Sequence, residues 1–246
     1  GSGAVYAIVG QGGQDVPSFL KRVEQDIQTV KQFRAQHGSS AVLDVYEARL
    51  PDSVDAIKPV VARASELLLA EGLRPFFEVP PGEDWPGRAD VAIDAIRVHN
   101  NLQTTSHAIG FKLRCGGLDV SKFPDADRVS GTIVACRNAG VPLKATAGLH
   151  HPIRHYNDAL ETREHGFINV FGAGILTNLH GLEHQKVVEI IEEEAAGFSF
   201  SDEAFSWNEL SASVEDITRI RQQCLISYGS CSFDEPREDL VALGWL

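Results

Sequence analysis

Residues 41–79 read AVLDVYEARLPDSVDAIKPVVARASELLLAEGLRPFFEV. Ala41–Tyr46 is short, apolar and rich in β-branched residues, which suits a strand. Val54–Glu71 is longer and reads as a helix, with Gly72 as its C-terminal stop. Leu73–Val79 returns to strand character and is halted by Pro80-Pro81. A strand, a helix and a second strand in immediate succession make a βαβ unit, and that unit demands parallel strands.

The same alternation extends both ways. Upstream, Ala4–Val9 reads as a strand, Gln11–Gln14 as a loop and Val16–Gln36 as a helix. That helix has apolar residues at Phe19, Leu20, Val23, Ile27, Val30 and Phe33. Downstream, the expected order is helix Asp90–Leu102, strand His107–Arg114, helix Asp125–Ala139 ended by Gly140, and strand Val141–Ala147. Mostly apolar strands imply a sheet covered on both faces. Doubly wound sheets and barrels both fit. The length of 246 residues favours a TIM-like (β/α) barrel in one α/β domain spanning residues 4–246.

After residue 150 the regularity fails, so the barrel is expected to be incomplete or irregular in its last third. Gly166–Leu179 reads as a buried helix and Gln185–Ala196 as an acidic amphipathic one. Phe198–Trp207 resembles a hairpin around Asp202-Glu203. Val214–Ser227 reads as a helix, Tyr228–Phe233 as a loop and Pro236–Leu243 as a last short helix.

Composition narrows the function classes. With 43% hydrophobic and 23% charged residues, the chain can build a core. Its net charge of −12 repels nucleic-acid backbones and anionic lipid, so neither is an expected partner. Apolar runs are too short for a transmembrane helix. Four cysteines without a C-x-x-C pair are neither a disulfide framework nor a zinc ribbon, and a reducing cytoplasm is the expected location. Gly1-Ser2-Gly3 and the absence of Met are read as a cloning scar on a processed or truncated chain. The Gln11–Gln14 loop lacks dinucleotide-fingerprint spacing. No organic cofactor is expected, and a divalent metal stays open, as does a homo-oligomer.

Ligands of parallel α/β folds bind beyond the C-terminal ends of the strands. Those ends carry Glu47, Glu78, Lys112 with Arg114, and Lys144 followed by Gly148-Leu149-His150-His151. Residues 106–155 hold seven Lys/Arg against three Asp/Glu, a net +4 inside an acidic chain. That contrast points to a cleft for a small anion. Lysines are rarely buried in strands without a partner. If Lys112 and Lys144 converge in one pocket, desolvation and like-charge repulsion favour a neutral, nucleophilic amine.

The run GLHHPIRH (148–155) places three histidines near a strand end, for proton transfer or metal ligation with Glu47, Glu78 or Asp44. In SYGSCSFDEP (227–236), Gly229, Ser230, Cys231 and Ser232 precede a helix. They suit an anion site at its N-terminus or a capped turn begun by Ser232 or Asp234. Asn169 in an apolar helix needs hydrogen-bond partners, either in a pocket or on the backbone.

KATAGL (144–149) resembles the Schiff-base strand of deoxyribose-phosphate aldolase-type barrels, Lys-Thr-x-Thr-Gly-Phe. That family's second lysine follows the reactive one; here Lys112 precedes Lys144. The segments FFEVP (76–80), FKLRCGG (111–117), KATAGLHHPIRH (144–155), HGFINVF (165–171) and SYGSCSFDEP together resemble a conserved bacterial family. That resemblance implies one structural unit and supplies no activity.

The leading expectation is therefore an aldolase- or lyase-type enzyme for a small anionic carbonyl compound, carboxylated or phosphorylated. Lys144, or else Lys112, supplies the amine, Glu78 orients it or acts as base, and His150 or His151 moves protons. Arg114, Glu47, His155, Asn169 and residues 229–232 contact the substrate. The first alternative is a metal-dependent hydrolase or isomerase using His150, His151 and His155 with a carboxylate. The second is a small-anion-binding protein without catalysis.

Overall fold

The computed structural model describes residues 4–82, 84–103, 108–194, 197–230, 232 and 234–246. It is a mixed α/β fold with six parallel strands and eight α-helices among those residues. The chain forms two compact units, Gly1–Lys112 and Leu113–Leu246.

In the first unit the strands are β1 (Ala4–Gly10), β2 (Ala41–Arg49), β3 (Arg74–Glu78) and β4 (Gly110–Arg114). The last two residues of β4 open the second unit. Neighbours pair in parallel in chain order. The helices α1 (Val16–His37), α2 (Val54–Ala70) and α3 (Trp85–Leu102) connect them. A capping box starts α1: the Ser18 amide donates to Asp15, and the Asp15 amide donates back to the Ser18 hydroxyl. Of its six predicted apolar residues, Phe19, Val23, Ile27 and Val30 are buried, and Leu20 and Phe33 are half-buried.

The end of α2 follows the sequence signal. The Leu73 amide donates to the Leu68 carbonyl (2.9 Å) and the Gly72 amide to that of Leu69 (3.0 Å). Gly72 has φ +67°, a conformation open to glycine without steric cost. The third helix starts at Trp85, before the predicted Asp90, because Pro86 sits in its first turn, where a missing amide hydrogen costs nothing. The fourth strand begins at Gly110; of the predicted strand His107–Arg114, His107 lies outside the described residues.

The second unit continues from the end of β4. The Cys115 amide donates to the Thr146 carbonyl (2.8 Å), which lays that segment against β5 (Leu143–Thr146). The helix α4 (Ala126–Ala139) precedes β5 and ends at Gly140 as predicted. Beyond β5 the parallel alternation stops, in line with the expected irregular last third. A short antiparallel hairpin forms from β6 (His155–Asn157) and β7 (Thr162–Glu164). Then come α5 (Phe167–His180), buried from Phe167 to Thr177, and α6 (His184–Ile191). A three-stranded antiparallel sheet follows, with β9 (Ala204–Trp207) between β8 (Phe198–Phe200) and β10 (Leu210–Ser213).

The helix predicted over Val214–Ser227 is shorter. It ends at Gln223 (α7, Val214–Gln223), and Leu225–Gly229 becomes β11, parallel to β5. The last helix, α8, spans Asp234–Ala242. None of the described helices is long and apolar enough to cross a membrane.

Candidate functional site

The first unit gathers three of the expected residues. Parallel register sets Glu47 level with Phe76 and then Gly110, and sets Arg49 level with Glu78 and then Lys112. With side chains alternating along each strand, Glu47, Arg49, Glu78 and Lys112 share one face of the ladder. The Lys112 ammonium nitrogen lies 2.8 Å from Oε2 of Glu47 and 3.0 Å from Oε2 of Glu78. All three are buried, at 5%, 4% and 7% exposure for Glu47, Glu78 and Lys112. An ammonium in that setting survives by pairing, because an isolated buried charge is prohibitive.

The rim of this unit is shaped by a residue that sequence reading missed. Arg88, buried on α3, donates to Asp52 (3.2 Å) and to the Pro80 carbonyl (2.8 Å). It thereby ties the loop after β2 to the loop after β3. A polar cleft at these strand ends is lined by Gln11, Gln14, Arg22, Arg49, Asp52 and Pro80. Arg22 and Arg49 are both exposed there. Asp44, also on β2, is exposed.

Lys144 belongs to the second unit. Lys144 is buried in β5, level with Ser227 of β11, and Thr146 stands level with Gly229. Arg114, half-buried, donates to the Gly116 carbonyl (3.2 Å). The pairing of β5 with β11 brings together two stretches far apart in sequence, GLHHPIRH and SYGSCSFDEP.

Ala147 and Gly148 both have left-handed backbones, φ +64° and +69°, and turn the chain sharply after β5. A Cβ on Gly148 would meet the Gly116 Cα at 2.8 Å, so the turn accepts no side chain. Beyond it, His150 Nδ1 lies 3.2 Å from Oε2 of Glu235 and His151 Nδ1 lies 2.5 Å from Oδ2 of Asp239. Both carboxylates lie on α8 four residues apart, hence on one helix face. The turn before α8 is capped: the Ser232 amide donates to the Ser230 hydroxyl, and the Ser232 hydroxyl accepts from the Glu235 amide. Cys231 lies outside the described residues.

His151 also meets His155 edge to face, with ring centroids 4.3 Å apart. His155 stands directly across the β6–β7 hairpin from Glu164, with Nε2 and Oε2 3.7 Å apart. Sequence reading missed Glu164, since only the hairpin register brings it to His155.

Asn169 is fully buried, and its bonds run to the backbone. Its Oδ1 accepts from the Arg154 amide (2.8 Å), and its Nδ2 donates to the Ile190 (2.9 Å) and Glu193 (2.7 Å) carbonyls. Of the two roles open to it, the structure displays the structural one. His165 is likewise internal, bonded through Nε2 to the Pro124 carbonyl (2.7 Å), and burial pulls its pKa below the usual value. Burial pushes the Cys115 thiol up to about 12 and raises Cys136 as well, so neither is a thiolate nucleophile.

No protein-family model, curated protein or solved structure matches this chain.

Proposed function

We propose that the protein is an enzyme of the aldolase or lyase class, acting on a small anionic carbonyl compound through the amine of Lys112. The observation that carries this reading is the buried Glu47–Lys112–Glu78 cluster at the C-terminal ends of parallel strands. A lysine between two carboxylates has a proton acceptor at hand on either side. The ammonium passes a proton to Glu78, the freed amine adds to the carbonyl carbon, and the carbinolamine loses water to leave an iminium ion. The hydroxyl on the far carbon of the bond that breaks then gives its proton to a carboxylate and becomes the carbonyl of the departing fragment, while the bond's electron pair passes to the iminium. The resulting enamine is protonated and hydrolysed by water, which frees the amine. Arg49, on the same strand face and lining the polar cleft, suits the anionic group of the substrate.

The reading keeps the expectation of a TIM-like barrel that is incomplete beyond its regular part. Its support is the unbroken strand–helix succession from β1 to β5.

Borohydride trapping with a panel of keto acids and sugar phosphates tests the proposal. The expected result is one reduced adduct per chain, mapped to the peptide containing Lys112 and lost in Lys112→Met. An adduct on Lys144 instead overturns the assignment of the amine. No adduct on either lysine across the panel overturns the reaction class.

A further inference from the structure

We infer that His151, His155 and Glu164 form a binding site for a divalent first-row transition ion of the zinc class. All of its residues lie in the second unit, so it stands or falls independently of the lysine chemistry.

One ligand atom from each of the three residues lies within 4.8 Å of the others. Two imidazoles and one carboxylate are a donor set that zinc and iron(II) take in open sites. With metal–ligand bonds of ~2.0–2.2 Å, tetrahedral ligand atoms sit roughly 3.4 Å apart. The 3.7 Å between His155 Nε2 and Glu164 Oε2 is already close to that spacing. The cluster needs to contract by at most about 1.4 Å at its widest, a small adjustment of the half-buried His151 side chain.

The outer hydrogen bonds make this more than a chance grouping. A metal-bound histidine almost always donates its other ring N–H to a carboxylate or a backbone carbonyl. His151 has both partner and geometry in Asp239, at 2.5 Å from Nδ1. His155 Nδ1 faces the Ile153 carbonyl at 3.3 Å. Each bond fixes the proton on Nδ1 and leaves the Nε2 lone pair for a ligand. Glu164, buried, is held in turn by Asn157, whose Nδ2 donates to Oε1 at 2.7 Å while Oε2 faces His155.

The hairpin supports the same conclusion. His155 and Asn157 on β6 share a face with Glu164 on β7, whereas Tyr156 and Arg163 stand on the other face and stack with each other at 6.0 Å. Three protein ligands leave a coordination position for water or for an oxygen of a small molecule.

Metal-stripped full-length chain titrated with zinc sulfate by calorimetry, and with cobalt(II) chloride by visible absorption, provides the test. We expect one ion per chain, with zinc displacing cobalt from the same site. His155→Gln and Glu164→Gln each abolish stoichiometric binding while keeping the parent's circular dichroism. Asp239→Asn weakens zinc binding about 10–100-fold and shifts the cobalt absorption band. His184→Gln, on α6, leaves binding unchanged. Because Asp239 is half-exposed, its variant remains informative if the Glu164 variant fails to fold. Absence of a one-to-one complex, or binding that survives both His155→Gln and Glu164→Gln, overturns the proposal. So does an Asp239→Asn variant that leaves affinity and spectrum at parent values.

Discussion

Nζ of Lys112 lies 3.0 Å from Oε2 of Glu78, the residue level with it on the adjacent strand, and 2.8 Å from Oε2 of Glu47, one strand further. Parallel register alone produces this grouping. Each residue sits on the same face of its strand, near the end where such sheets bind ligands. Two carboxylates and one ammonium, all buried, make the cluster sensitive to the loss of any member.

Removing the ammonium therefore costs more than removing a packed side chain. Lys112→Met keeps most of the volume and removes the ammonium that lies against both carboxylates. We expect a loss of about 3–5 kcal/mol in urea unfolding. The triple variant Glu47→Leu, Lys112→Met, Glu78→Leu, which removes all three charges, recovers most of it while remaining unreactive in borohydride trapping. A triple variant no more stable than Lys112→Met would show that packing, not charge, governs this site.

Much of the first unit is legible in sequence because its boundaries carry chemical marks. Gly72 and Pro80 end elements where they stand, and the buried face of α1 follows its 3.6-residue period. What escapes sequence reading lacks such marks. The strand β11 follows α7 with no glycine or proline between them, and Leu225 continues the helix's apolar spacing. The strands β6 and β7 are three residues each and too polar to show a period. The candidate sites divide in the same way. Glu47, Glu78 and Lys112 are visible as polar residues at strand ends, though only register shows that they touch. Glu164 and Asp239 carry no local signal, because a hairpin and a distant helix deliver them to the histidines.

The buried His99 on α3 makes stability depend on pH. Burial pushes its pKa below the ordinary value of about 6.5, against a smaller opposing pull from Glu66. Its Nε2 has no hydrogen-bond partner among the described residues. On acidification the unfolded chain takes up this proton before the folded one, so stability falls as pH drops from about 6.5 through the lower folded value. Above that range His99 is neutral in both states and adds no slope. We expect His99→Phe to flatten the pH dependence of the urea midpoint between about pH 7 and 5, relative to the parent. Parallel curves for the two proteins would refute this.

Asn169 tests the distinction between a structural and a ligand-binding polar residue. Its side chain satisfies three backbone groups, at Arg154, Ile190 and Glu193. Asn169→Leu removes all three bonds; the Ile190 carbonyl keeps a backbone donor in the Glu193 amide (3.3 Å), and each group left unmet costs about 1–3 kcal/mol. A loss of several kcal/mol in thermal or urea unfolding is expected. Asn169→Asp keeps the acceptor but turns a buried carboxylate oxygen towards two carbonyl oxygens, so near neutral pH it should be at least as destabilising as Asn169→Leu. Parent-like stability of Asn169→Leu would mean that these backbone groups find other partners.

Gly148 and Gly140 separate backbone strain from steric exclusion. Both have left-handed backbones, at φ +69° and +62°. A Cβ at Gly140 meets nothing within 4 Å, so Gly140→Ala carries only the conformational penalty, roughly 1–2 kcal/mol. At Gly148 the added carbon would approach the Gly116 Cα at 2.8 Å and the Cys115 carbonyl oxygen at 3.1 Å. Neither contact is a flexible side-chain end, so the turn itself must open. Gly148→Ala is thus expected to cost about 1–3 kcal/mol beyond Gly140→Ala, the range typical of overpacking. Because His150 and His151 follow this turn directly, the same substitution should weaken zinc binding, and Gly140→Ala should not. Equal destabilisation by the two variants would indicate that the Gly116–Gly148 approach yields without cost.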